Sequence, residues 1–253
     1  MNTWILLRGL TREQAHWGPF PALLRETLPR DTVILTPDLP GNGTLWQSRS
    51  PCSVKDMVEH CRQALREAGH APPYHVLAMS LGAMVTVDWA TRYPDELAAT
   101  ILISTSLRPF SPFWHRLRPL QYGRLLRLLT CHPTNVEWEQ AILEMTTCHP
   151  ADPQATVERW AQTRRSHPVS VGNACRQLLA AVRYQAPSHP PKVPMLLLNG
   201  QGDQLVHPDC SQTLAQTWQL PLITHPTAGH DLPLDAGPWV VSQVQAWLAQ
   251  RPQ

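Results

Sequence analysis

The sequence predicts an α/β fold: a mostly parallel sheet of about six strands, covered by helices and interrupted by a helical cap. Three observations carry this prediction. Apolar runs at residues 4–7, 33–36, 75–79, 100–103, 195–199 and 222–225 are short and bounded by Gly, Pro or Asp. Runs of four to six such residues mark strands buried on both faces, as parallel sheets require. Helix-patterned segments, 55–68 and 81–93, separate some of them, and strand–helix alternation is the pattern of an open α/β sheet. The alternation stops between about 105 and 186 and resumes after "PPKVP".

The run at 4–7, "WILL", leads into the loop Arg8-Gly9-Leu10. No basic segment and no long apolar segment precede it, so the chain lacks the pattern of a secretory leader. The run at 33–36 leads into "TPDLPGNG", and the run at 75–79 ends directly at Ser80. The helix over 81–93 is stopped by Pro94. Residues 105–186 carry helical patterning and many prolines but no buried strand. They read as an insertion rather than a separate domain, because the sheet needs strands from both sides of them. The expected core is therefore 1–104 and 187–253, with the cap at 105–186. The last two runs each lead into a loop with one acid or one His of interest, "GQGDQLVHPD" and "PTAGHDLPL".

Composition narrows the class. The 253 residues are 43% hydrophobic and 16% charged, against about 25% charged in an average globular domain. The 26 prolines then read as short elements with stiff connections. No run of about 18 apolar residues is present, which predicts no membrane span. Six cysteines without a leader predict reduced thiols and a cytoplasmic protein. The net charge of +2 is unevenly placed: the cap holds ten Arg against five acids, a net of +5. The near-neutral total and the lack of a binding motif exclude nucleic acid as a partner.

Ser80 stands between a buried strand and a helix in Ala78-Met79-Ser80-Leu81-Gly82. That is the setting of a G-x-S-x-G nucleophile elbow, in which a sharp turn exposes the Ser. Taken alone, the segment also reads as a Ser capping a turn. A Ser hydroxyl needs a base, and the base needs an orienting acid, in the chain order Ser, acid, His. Asp203 and His230 meet that order, each just past a strand, where ligands bind in open α/β sheets. Asp209 and Asp231 remain as alternative acids. The backbone N–H groups of Leu10 and Leu81 are the candidate oxyanion hole.

Together Ser80, Asp203, His230, the Arg8-Gly9 loop and "TPDLPGNG" resemble the α/β-hydrolase superfamily over nearly the whole chain. They are similar to small capped esterases of the pimeloyl-[acyl-carrier-protein] methyl ester esterase type. The resemblance implies a Ser-His-Asp hydrolase of small carboxylic esters that works without a cofactor. It also implies that the first two strands of the usual eight are missing. Three residues depart from the family pattern: Ala78 for the elbow Gly, Arg8 for a common His, and Asn42 for another.

Arg8, Phe110, Phe113 and Trp114 are the expected substrate-binding residues. Arg116, Arg118 and Arg124 lie in an acid-free stretch that admits an anionic substrate or an acidic carrier protein. A thioesterase, a carbon–carbon hydrolase or lyase, and a non-enzymatic scaffold are the competing readings of the same fold. Gly41-Asn42-Gly43 lacks the rest of a dinucleotide fingerprint. The two "CHP" triplets lack zinc-ligand spacing, so no metal is expected.

Overall fold

Each apolar run forms a strand in the computed structural model, which describes residues 2–250. The strands are β1 (Thr3–Leu7), β2 (Val33–Leu35), β3 (Tyr74–Met79), β4 (Leu97–Ile103), β5 (Met195–Gly200) and β6 (Leu222–His225). They form one six-stranded sheet in the order β2-β1-β3-β4-β5-β6, with every pairing parallel. β4 begins three residues earlier than its most apolar part, because the turn after Pro94 delivers Leu97 directly into the sheet.

Three helices precede the insertion: α1 (Phe20–Glu26), α2 (Val54–Glu67) and α3 (Leu81–Arg92). Five form the insertion: the single turn α4 (Phe113–Arg116), then α5 (Tyr122–Thr130), α6 (Asn135–Thr146), α7 (Pro153–Ser166) and α8 (Val171–Arg183). Two more, α9 (Asp209–Trp218) and α10 (Leu232–Ala249), complete the chain. Local chemistry sets several starts. The side chains of Ser53, Thr134, Asp152 and Ser170 each accept an N–H from the first turn of α2, α6, α7 and α8, a cap worth about 1 kcal/mol.

Side-chain alternation along the strands builds two apolar layers. Ile5, Leu7, Val76 and Leu197 pack with Met57, Trp89 and Leu214 from α2, α3 and α9. Trp4, Leu6, Leu77 and Leu198 face the other way, onto Phe20 and Leu24 of α1 and Val240 and Val244 of α10. The four central strands are buried on both faces and the edge strands β2 and β6 only partly, and this burial is why the strands read as continuous apolar runs.

β4 and β5 are neighbours, with Thr100 opposite Met195, although the insertion separates them in sequence. The insertion starts and ends at one place, where Ala186 N–H donates to the Arg108 carbonyl at 2.8 Å. Buried polar pairs tie its helices to the loops after β1 and β2. Arg12 pairs with Glu139 of α6 at 2.5 Å and lies over the Trp160 ring of α7 at 4.2 Å. Gln177 of α8 donates to Asn42 at 2.7 Å and accepts the Thr11 N–H at 2.8 Å. Asn42 is thus part of the joint between insertion and sheet. All six cysteines are free. No helix among the described residues is long and apolar enough to cross a membrane.

Candidate active site

β3 ends at Met79 and α3 begins at Leu81, which leaves Ser80 alone to reverse the chain. Its backbone is at φ 55°, ψ −118°, a region that costs a non-glycine residue of order 1–3 kcal/mol. Two glycines make room for the turn. A Cβ on Gly82 would lie 2.6 Å from the Leu7 carbonyl oxygen and 2.7 Å from that of Arg8. A Cβ on Gly9 would lie 3.0 Å from the Ser80 Cβ. Ala78 fits in place of the first elbow glycine because it is still an ordinary strand residue, paired with Leu7 and Leu102.

Asp203 lies just beyond β5 and His230 in the loop beyond β6. His230 Nδ1 donates to Asp203 Oδ2 at 2.7 Å, and both side chains are almost fully buried. The other carboxylate oxygen, Oδ1, accepts the N–H groups of Leu205 and Val206 at 2.8 Å each. The aspartate is therefore held on both sides. Ser104, at the end of β4 with φ 49°, donates its hydroxyl to the His230 carbonyl at 2.9 Å. Ser80 and His230 line one cavity of about 790 Å³, roofed by the insertion. Leu10 and Leu81 line it as well. Leu81 is the first residue of α3, so its N–H has no partner within the helix.

The other expected residues divide. Phe113 lines the cavity and is 67% exposed. Phe110 does not: it packs edge-on against Trp218 at 5.3 Å, outside the cavity. Trp114 stands exposed beside Phe113 and is likewise outside the lining. Arg8 is in the wall, but its guanidinium is already committed. It pairs with Asp231 (Nη2 to Oδ2 2.6 Å, Nη1 to Oδ1 3.2 Å) and lies over Trp17. Asp231 therefore serves Arg8 and not the His. Asp209, the other alternative acid, stands exposed at the start of α9, 3.3 Å from His207.

Three residues support the site in ways the sequence does not indicate; the sequence places Arg118 in a candidate anion-binding stretch instead. Arg118 Nη1 donates to the Asp203 carbonyl at 2.8 Å. Asp235, in the first turn of α10, accepts the N–H groups of Gly229, Cys148 and His149 at 2.7, 2.8 and 3.0 Å. It thereby clamps the His230 loop to the end of α6. Ser104 is the third, and a serine after an apolar strand is too common to single out.

Away from the cavity, His115, His207 and Asp209 bring one potential ligand atom each within 4.8 Å of one another. The two rings are stacked, 4.6 Å apart and 19° from parallel. Lone pairs in parallel planes do not converge, and zinc ligands at about 2.1 Å from the ion must. As arranged, the cluster does not fit a metal.

Comparison with known proteins agrees with the fold. A solved thermophilic esterase from Thermogutta terrifontis superposes with a TM-score of 0.75 over 99% of this chain and 90% of its own, at 22% identity. The 2-hydroxy-6-oxo-6-phenylhexa-2,4-dienoate hydrolase from Rhodococcus sp. strain RHA1 gives 0.74 over 98% and 90%, at 19% identity. The pimeloyl-[acyl-carrier protein] methyl ester esterase of Chromobacterium violaceum is 33% identical over 94 residues, 37% of this chain and 34% of that protein. The matched segments span between 15% and 34% of the lengths of the first three curated relatives. A family model described as "Alpha/beta hydrolase family" matches residues 4–243. With a match of that extent, the chain belongs to the alpha/beta hydrolase family.

Proposed function

We propose that the protein is a serine hydrolase that cleaves carboxylic esters through Ser80, His230 and Asp203. One observation carries the reading: a strained serine elbow opens onto the same cavity as a histidine held by a buried aspartate. In this mechanism His230 Nε2 takes the Ser80 proton as Oγ attacks the acyl carbonyl. The Leu10 and Leu81 N–H groups stabilise the oxyanion, and each such donor is worth about 3–4 kcal/mol. His230 then protonates the leaving alcohol. Water attacks the acyl-enzyme by the same route and releases the acid. Asp203 holds the imidazole tautomer and stabilises its charged form.

The cavity walls suit a hydrocarbon chain: Leu125 and Leu128 of α5 face Trp138, Ile142 and Met145 of α6. Burying each CH₂ contributes about 0.8 kcal/mol, so kcat/KM should rise about fourfold per added CH₂ until the chain fills the space. Six free thiols suit a reducing compartment such as the cytoplasm. A carrier protein of acidic surface would meet Arg124 and Arg127, which stand exposed on α5. A thioester substrate fits the same geometry, since acyl transfer to Ser80 differs only in the leaving group.

The test is labelling with a fluorophosphonate, wild type against Ser80→Ala, beside turnover of p-nitrophenyl esters from C2 to C12. Labelling at Ser80 with a chain-length optimum is expected, and Ser80→Ala should lose at least about 10³-fold in kcat. A folded wild type that takes no label and turns over no ester would end the proposal. Cleavage of a carbon–carbon bond without ester turnover would favour the competing hydrolase class.

A further inference from the structure

Four arginines line the cavity: Arg8, Arg12, Arg108 and Arg116. Two are neutralised within the protein, Arg8 by Asp231 and Arg12 by Glu139. Arg108 and Arg116 pair with no carboxylate among the described residues. After burial, the groups that act on Arg116 are the Cys210 thiol and then Arg108, a like charge. Burial pushes the Cys210 thiol up to about 11, so it supplies no anion at neutral pH.

Arg116 is half-buried at the end of α4, and its Nη2 donates to the Ala181 carbonyl of α8 at 2.7 Å. That bond fixes the guanidinium between two insertion helices. Desolvation is the main influence on it and lowers its pKa, and Arg108 adds to the effect. Arg116 is partly withdrawn from water and has no carboxylate partner, so an anion placed between it and the exposed Arg108 would be attracted by both charges. The wall beside them is polar too, since Ser106 and Ser111 line the same cavity.

We infer that the cavity takes an ester carrying a carboxylate or phosphate remote from the scissile bond, and that Arg116 and Arg108 bind that group. The inference rests on the esterase reading above. Its hydrocarbon part lies along the α5–α6 walls. The anion lies toward the mouth, because Arg108 is exposed. Two other arginines of the same acid-free stretch are not part of this site. Arg118 is engaged with the Asp203 carbonyl, and Arg124 is exposed and does not line the cavity.

The anion can belong to the acyl group or to the alcohol, and two matched series separate these cases. The first compares monomethyl esters of C4–C10 dicarboxylic acids with methyl esters of the monocarboxylic acids of equal length. The second compares 1-octanoyl-glycerol-3-phosphate with 1-octanoylglycerol. In one series the anionic member should be favoured in kcat/KM by about 10- to 100-fold, the effect of a charge-assisted hydrogen bond, mainly through KM. Arg116→Gln and Arg108→Gln should each reduce that ratio about 10-fold, and Arg116→Lys should restore part of it. Circular dichroism checks that each variant is folded.

Equal turnover of anionic and neutral members in both series, with Ser80 still labelled by the fluorophosphonate, would overturn the anion site and leave the esterase reading standing. Calorimetric binding of monomethyl octanedioate and methyl octanoate to Ser80→Ala protein needs no turnover. A preference for the carboxylate that Arg116→Gln abolishes would support the site even if the esterase reading failed. No preference there, together with none for 1-octanoyl-glycerol-3-phosphate over 1-octanoylglycerol on the same protein, would overturn it.

Discussion

At the scale of single residues, Arg8 and Asp231 show how a departure from a family pattern can be structural. Arg8, which by the resemblance stands where a histidine is common, lines the cavity. Its charge is consumed by Asp231, from the residue next to His230, and its face is covered by Trp17. The pair ties the loop after β1 to the loop after β6, which are the loops expected to hold the oxyanion and the base. Asp231→Ala leaves a buried guanidinium uncompensated and should cost about 3–5 kcal/mol. The double variant Arg8→Met/Asp231→Leu should recover most of that, because an apolar pair of similar volume avoids the desolvation of both charges. Denaturant unfolding of the three proteins measures this. A single variant as stable as wild type would show that the pair contributes nothing.

Among the elements, the insertion does more than cover the site. Arg118 N–H donates to the Leu205 carbonyl at 2.9 Å, its side chain holds the Asp203 carbonyl, and His207 N–H donates to the His115 carbonyl at 2.8 Å. These bonds stitch the segment around α4 onto the loop that carries Asp203. In the middle of the insertion, where α6 ends, Asp231 N–H donates to the Thr146 carbonyl at 2.7 Å, and Asp235 bridges Gly229 to Cys148 and His149. The insertion thus grips the acid loop and the histidine loop separately. Arg118→Met should lower kcat about 10- to 100-fold with little change in KM, since it loosens the aspartate and not the substrate. Arg118→Lys should keep part of the rate. Steady-state kinetics on a p-nitrophenyl ester distinguish this from a change in substrate binding, which would move KM instead.

For the whole molecule, these ties predict one unfolding transition. β4 and β5 pair directly across the insertion, and the Arg12–Glu139 pair and the Gln177–Asn42 bond are buried at the joint. Loss of the insertion would leave those polar groups unpaired beside the sheet. Heating curves followed by far-ultraviolet circular dichroism and by tryptophan fluorescence should therefore coincide, because Trp138 and Trp160 report the insertion while Trp4 and Trp89 report the core. Two separated transitions would show that the insertion is an independent unit.

The amino-acid sequence by itself determined the sheet, because an uninterrupted apolar run has no stable place except between two helical layers. It also marked the helical insertion, where such runs cease, and the strand ends where Ser80, Asp203 and His230 stand. Those signals are local: each is contained in a dozen neighbouring residues. The tertiary structure alone decided which charges are free. Arg8 meets Asp231 and Arg12 meets Glu139 across long stretches of chain, and no periodicity or motif encodes such a meeting. For the same reason Phe110 and Trp114, alike in sequence to Phe113, fall outside the cavity. Their directions are set by α9 and by solvent, not by their spacing. An ion pair depends on a distance in space, and only the folded chain supplies it.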